Sequence, residues 1–148
     1  MLDPRFVAEN PDLVKDHLRR RRASEEAHLS VDAIVRLSRQ RVALITERDG
    51  LRAARNTLSK EIGDLMRAGR KDEAEAAKAQ VTAGNERTKV LEDELAAVEA
   101  QQADHVLSLP NLLHPDVPEG DDETANLELR RWGTPVAIPN AHAHVEVG

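Results

Sequence analysis

Leucine recurs every seven residues between positions 37 and 65 of this 148-residue chain. Such heptad spacing places apolar side chains along one face of a long α-helix and is typical of a coiled coil. A second series, in which small or apolar residues alternate at intervals of three and four, runs from position 74 to position 98. The sequence therefore predicts two long helices that pack along one seam. Its members are Ile34, Leu37, Leu44, Leu51, Leu58, Ile62 and Leu65 in the first helix and Ala74, Ala77, Val81, Gly84, Thr88, Leu91, Leu95 and Val98 in the second.

Residues that favour a short turn separate the two series. Gly69 can adopt the left-handed backbone conformation that ends a helix. Asp72, followed three residues later by Glu75, has the spacing of a capping box, which starts a helix. We therefore expect helices over about 31–68 and about 72–106. So short a turn makes the helices antiparallel, and residues whose numbers sum to about 142 then face each other. This register pairs Leu58 with Gly84, Leu51 with Leu91, and Leu44 with Val98.

A shorter helix precedes the hairpin. Asn10 is a suitable N-cap, and Pro11 suits the first helical position, where its missing N–H costs nothing. We expect this helix over about 11–22, followed by a connector over 24–30 that ends in Ser30 as the N-cap of the next helix.

An extended ribbon follows the hairpin. Pro110 ends the last helix, and two further prolines at 115 and 118 hold the next stretch extended. The alternation in VAIPNAHAHVEVG, residues 136–148, predicts one or two short strands. The predicted fold class is thus all-α: a long antiparallel two-helix coiled-coil hairpin with a short N-terminal helix and a C-terminal extended, proline-rich linker with short strands. We expect the helical domain to span 1–108 and the linker 109–148.

Charge is divided unevenly between the two helices of the hairpin. The net charge of the chain is −6, yet residues 31–71 carry ten basic and five acidic side chains. Residues 72–106 carry three basic and nine acidic side chains. A basic helix therefore lies beside an acidic one, and this asymmetry needs a functional explanation.

Several classes of protein and site are disfavoured. The chain has no cysteine, which excludes a disulfide framework, a thiol nucleophile and a cysteine-ligated metal. No apolar run reaches membrane-spanning length, and the N-terminus lacks the layout of a signal peptide, so we expect a cytoplasmic protein. His142 and His144 have strand spacing but no third ligand in view, so we expect no metal site. No catalytic arrangement of side chains is convincing.

Four segments resemble the N-terminal part of bacterial seryl-tRNA synthetases, in the family's order. They are LDPRFVAENPDLVKDHLRRR at 2–21, RNTLSKEIG at 55–63, LPNLLHPDVPEGDDETANLELRRWGTP at 109–135 and HVEVG at 144–148. The third is the most specific, because any coiled coil has heptads. The last segment is similar to the entry of the catalytic domain, where family members usually have Glu-Leu-Gly.

The resemblance implies a function for each part. The hairpin would dock the long variable arm of serine tRNA, and the linker would lead into a catalytic domain that this chain lacks. The parent enzyme would be a homodimeric serine–tRNA ligase that uses ATP and Mg²⁺. The chain itself would not be an enzyme, would need no cofactor, and would be a monomer or a weak dimer.

An RNA-reading rod needs exposed cations for phosphates. Five basic residues should point away from the partner helix or lie at the turn, and one more lies in RNTLSKEIG. The first five are Arg52, Lys60, Arg67, Arg70 and Lys71, and the sixth candidate for tRNA binding is Arg55. Arg41 and Arg48, by contrast, are expected to neutralise the acidic second helix, and the run 19–22 is expected to be a solvated helix end.

Two other functions fit the residues. A coiled-coil protein-interaction module could use the charge asymmetry for helix pairing alone. A free-standing synthetase-like protein could have lost its catalytic domain and its aminoacylation activity. The proline-rich ribbon with Trp132 and Gly133 favours the tRNA-binding domain over a plain coiled coil.

Overall fold

A computed structural model describes residues 1–134, and the chain divides into two units, Met1–Pro115 and Asp116–Gly148. The first unit contains four α-helices: α1 (Pro4–Glu9), α2 (Pro11–Arg20), α3 (Glu25–Arg67) and α4 (Lys71–Ser108). The described part of the second unit contains no α-helix or strand, and has one turn of 3-10 helix at Glu123–Ala125. The all-α prediction is confirmed. The predicted short strands lie on residues 136–148, outside the described residues.

The hairpin is formed by α3 and α4, which contact each other more extensively than any other pair of helices. Every predicted seam position is buried or partly buried. Leu37, Leu44, Leu91, Leu95 and Val98 form one apolar cluster, and Leu91 is only 1% exposed. The heptad pattern therefore predicted the seam correctly, because its period matches the helix–helix contact.

The turn between the helices corrects one prediction. Gly69 has φ 75°, the left-handed conformation expected of it. The N-cap of α4 is Arg70 rather than Asp72, and Asp72 lies in the first helical turn. The backbone N–H of Ala74 bonds to the carbonyl of Arg70 at 3.1 Å, so the first helical hydrogen bond forms before the capping-box residues are reached.

The N-terminal boundary of α3 was also predicted wrongly. The helix begins at Glu25 with Ser24 as N-cap, six residues before the expected start at 31. Ala27 is buried in the base core and Ser30 is buried inside the helix, so the expected connector is helical. Two serines can both cap a helix, and contacts with the preceding helices favour the earlier one.

The base of the hairpin is closed by the N-terminal helices. The base core comprises Val7, Val14, Leu18, Ala27, Val31, Ile34, Val106 and Leu109, with Leu112 partly buried against it. Leu109 and Leu112 belong to the predicted linker, yet they pack on the helical unit. The backbone N–H of Leu113 donates to Nδ1 of His17 at 3.1 Å, which ties the start of the ribbon to α2.

Candidate nucleic-acid interface

Three arginines bridge the two helices of the hairpin. Arg41 on α3 contacts Glu99 on α4 at 2.8 Å, and Arg52 contacts Glu92 at 2.7 Å. From the other side, Arg87 on α4 contacts Glu47 on α3 at 2.8 Å and Glu94 at 3.7 Å. The Glu47 carboxylate, as a hydrogen-bond acceptor, raises the pKa of the Arg87 guanidinium. These pairs lie beside the leucine seam, where coiled coils commonly form interhelical salt bridges.

Arg52 was expected to point away from the partner helix, and this prediction is wrong. The residue directly follows the seam leucine Leu51, and Glu92 directly follows Leu91. Both side chains therefore flank the seam at nearly the same level, and Nη2 of Arg52 reaches Oε1 of Glu92.

The two arginines expected to neutralise the acidic helix behave differently. Arg41 does so through Glu99, as predicted. Arg48 instead pairs with Asp49 on its own helix at 2.9 Å, so the prediction for it is wrong. The carboxylate of the next residue is close enough to hold the guanidinium before it crosses to α4.

Two of the candidate cations near the turn are paired locally. Arg67 contacts Asp64 at 2.6 Å, and Arg70 donates to Glu73 from Nε at 2.6 Å, both three residues apart. Their side chains are 81% and 58% exposed. Exposed pairs of this kind contribute only about 0–1 kcal/mol, so a phosphate could displace the carboxylate at little cost.

Three candidate residues carry no ion pair within residues 1–134: Arg55, Lys60 and Lys71. The side chain of Arg55 makes one long contact, 3.5 Å from Nη2 to Oδ1 of Asn56. All three residues are exposed. An unpaired cation gives up no carboxylate when it binds a phosphate, so these residues are the best placed of the six for RNA contact.

One cation that the sequence analysis missed lies on the same outward face of α3 as Lys60. Arg39 is exposed and, among the described residues, has no ion pair. It shares a heptad position with Lys60 and Arg67, opposite the leucine seam. The distance along α3 from Arg39 to Lys60 is about 32 Å. The heptad pattern contains this signal, because it assigns all three residues to one outward face.

The two helices therefore present different electrostatic surfaces. On α4, Glu86, Asp93 and Asp104 are exposed and have no ion pair within the described residues. The unpaired cations Arg39, Arg55 and Lys60 lie on α3. An anionic rod such as a nucleic-acid duplex would be attracted to the α3 side and repelled from the α4 side.

Residues 1–134 lack two further kinds of feature. None of the helices there is long and apolar enough to cross a membrane. No group of three or more His, Cys, Asp or Glu side chains in this range could hold a metal ion. His142 and His144 lie outside the described residues.

Comparison with known proteins gives a consistent result. Residues 1–113 match the family model described as "Seryl-tRNA synthetase N-terminal domain". A serine–tRNA ligase of Brachyspira hyodysenteriae is 40% identical over 135 residues, which cover 91% of this chain and 31% of the relative. Serine–tRNA ligases of Roseiflexus castenholzii and Desulfitobacterium hafniense are 41% and 36% identical over 149 residues, 100% of this chain and 34% of each relative. The chain thus spans about a third of the length of these curated relatives.

Proposed function

Because the chain belongs to the seryl-tRNA synthetase N-terminal domain family, we propose that its α3–α4 hairpin binds serine tRNA by the long variable arm. The observation that carries this proposal is the set of exposed cations on α3 without an ion pair among the described residues, with an acidic α4 beside them. A protein-interaction coiled coil is not favoured, because the family match covers the helices and the start of the ribbon together. A synthetase-like protein without aminoacylation activity is not favoured, because the relatives compared above are serine–tRNA ligases.

The proposed contact uses shape and charge. An A-form stem exposes phosphates and 2′-hydroxyls, whereas its base edges are poorly accessible to side chains. A helix of 43 residues is about 65 Å long, the length of about two turns of a nucleic-acid duplex. Guanidinium groups such as that of Arg55 donate to phosphate oxygens in a fork, and Lys60 and Lys71 act as point charges. Positioning contacts of this kind need no stacking on aromatic side chains, and the chain has only one Phe and one Trp.

Aminoacylation itself would belong to the whole protein. We propose that the parent is a homodimeric, cytoplasmic serine–tRNA ligase that charges its tRNA with serine using ATP and Mg²⁺. The groups for that chemistry would belong to a catalytic domain outside this chain. The 148-residue chain would position the tRNA, would not itself be a catalyst, and would be a monomer or a weak dimer.

A binding titration tests the proposal. Serine tRNA with its long variable arm should bind the chain with a dissociation constant on the order of micromolar, and affinity should fall steeply with salt as counterions are released. The matched RNA is the same tRNA with the long arm replaced by a short one, which should bind more weakly. Equal affinity for the two RNAs would refute the variable-arm contact.

Removing the unpaired cations should weaken binding without unfolding the hairpin. We expect the double variant Arg55→Ala/Lys60→Ala to bind more weakly by a factor on the order of ten, since its charged hydrogen bonds to phosphate are removed. The slope of log K against log salt should decrease by about 1 for each phosphate that the variant no longer neutralises. The control, Lys89→Ala, removes a lysine of α4 that has no ion pair within residues 1–134. A decrease of equal size in this control would argue against a site on α3.

A further inference from the structure

The Arg52–Glu92 pair differs from the other bridges between α3 and α4 in its position. Among the described residues, Arg52 is the arginine of α3 nearest to the turn that pairs across the hairpin, whereas the Arg87–Glu47 pair, at about the same level, has its arginine on α4. Arg55, three residues further along α3, is unpaired within this part of the chain. Residues three apart on a helix are surface neighbours, so Arg52 lies beside the cations assigned to RNA binding.

The geometry of the pair makes Arg52 exchangeable. A single hydrogen bond of 2.7 Å joins Nη2 of Arg52 to one oxygen of Glu92. The side chains are 46% and 47% exposed, so water and an incoming phosphate can reach both. The guanidinium has five N–H donors, and the bond to Glu92 occupies one of them.

We propose that Glu92 is an intramolecular competitor for RNA, holding Arg52 until a backbone phosphate replaces the carboxylate. The proposal rests on the proposed function and adds a specific regulation of its site. In the free protein, Glu92 neutralises Arg52 and reduces the cationic charge presented to other anions. A phosphate that lies within hydrogen-bonding distance of Arg52 displaces the Glu92 carboxylate, whereas a phosphate held farther away does not. The ion pair therefore favours binding of RNA whose backbone fits the hairpin.

The other bridging pairs are less suited to this exchange. Arg41 is 32% exposed and lies about 16 Å nearer the base, away from Arg55 and Lys60. Arg87 lies on α4 and contacts two carboxylates, Glu47 and Glu94. Arg52 is thus the bridging arginine of α3 that lies closest to Arg55 and Lys60.

A double-mutant cycle on the full 148-residue chain tests the exchange, with long-armed serine tRNA as the probe. Glu92→Gln should bind about threefold tighter, the factor expected when an exposed competing ion pair is removed. Arg52→Ala should weaken binding only slightly in the native background and more strongly in the Glu92→Gln background. That non-additivity is the signature of competition for one guanidinium.

Two controls separate competition from a general charge effect. Glu99→Gln removes the matched carboxylate from the Arg41 pair and should leave affinity unchanged. Asp93→Asn removes a neighbouring carboxylate that has no ion pair within residues 1–134 and should give a smaller gain than Glu92→Gln. Far-ultraviolet circular dichroism of each variant checks that the helices are intact.

The outcomes distinguish this proposal from the function on which it rests. If Glu92→Gln raises affinity equally with and without Arg52, or no more than Asp93→Asn does, the competition is refuted while the RNA-binding function stands. If the unmodified chain fails to bind serine tRNA, the proposed function is wrong and the competition falls with it.

Discussion

At the scale of single residues, Gln102 places a buried amide between the two helices, one turn of α4 beyond the seam residue Val98. It is 7% exposed, and its Nε2 donates to Oγ of Ser38 across the hairpin at 2.7 Å. A buried amide is costly without a partner, so this bond favours the one register in which the two residues meet. We expect Ser38→Ala to lower the free energy of unfolding by about 1–2 kcal/mol, because the amide is then left without an acceptor. Urea unfolding followed by circular dichroism measures this change, and adding Gln102→Leu should recover most of it.

Asp122 gives a residue-scale prediction in the second unit. Its Oδ1 accepts from the backbone N–H of Thr124 at 2.9 Å and from Oγ1 of Thr124 at 2.6 Å. The bond from the Thr124 hydroxyl, and then that from its backbone N–H, lowers the pKa of Asp122 below its ordinary value of 3.8. Because the pKa of Asp122 is lower in the folded turn, the ionised carboxylate stabilises the turn fully above pH 3.8. This stabilisation is lost as the pH falls through the lower pKa of the folded state. Carboxyl carbon NMR should report this lowered pKa, and Thr124→Ala should move it back toward 3.8.

At the scale of helices, two glycines of the hairpin have opposite roles. Gly84 lies within α4, and a Cβ added there would meet no atom within 4 Å. Gly69 ends the turn with φ 75°, where a side chain is strained whatever the space. We expect Gly84→Ala to stabilise the hairpin by about 0.5–1 kcal/mol and Gly69→Ala to destabilise it by about 1 kcal/mol. Thermal unfolding of the two variants measures the difference. A destabilising Gly84→Ala would show that the helices approach closely at that level, as the pairing of Leu58 with Gly84 suggested.

The helices also show how far the sequence could predict the fold and the site. The seam was predictable because a period of seven over many turns allows few other structures. The six-residue α1 escaped notice, because so short a helix has no periodicity to detect. The partner of Arg52 could not be predicted, because a long side chain beside the seam can reach across or extend into solvent. Arg48, seven residues from Arg41, takes a carboxylate on its own helix, which a heptad position cannot specify.

At the scale of the whole helical unit, packing weakens from the base of the hairpin toward the turn. No residue of α3 beyond Leu44 is buried, and on the turn-proximal part of α4 only Ala74 and Ala77 are. Among residues 1–134, no cross-helix ion pair lies nearer to the turn than those of Arg52 and Arg87. The unpaired cations Arg55 and Lys60 therefore lie in the part of the hairpin with the fewest buried side chains. Such segments open locally at a lower free energy than a well-packed core does.

This gradient predicts the pattern of amide hydrogen exchange. Amides of residues 34–44 and 91–106 should exchange most slowly. Their hydrogen bonds open only when the base core and the apolar cluster that contains Leu37 and Leu91 unfold. Residues 55–65 and 78–88 should exchange faster by local opening, although all of them are helical. Long-armed serine tRNA should slow exchange most in this second group, since phosphate contacts with Arg55 and Lys60 favour the closed helix. Mass spectrometry of exchanged peptides measures both effects, with the short-armed tRNA as the matched control. Uniform protection along the hairpin of the free protein would mean that the helices pack as tightly near the turn as at the base. Protection by RNA that is confined to the base would place the binding surface away from Arg55 and Lys60.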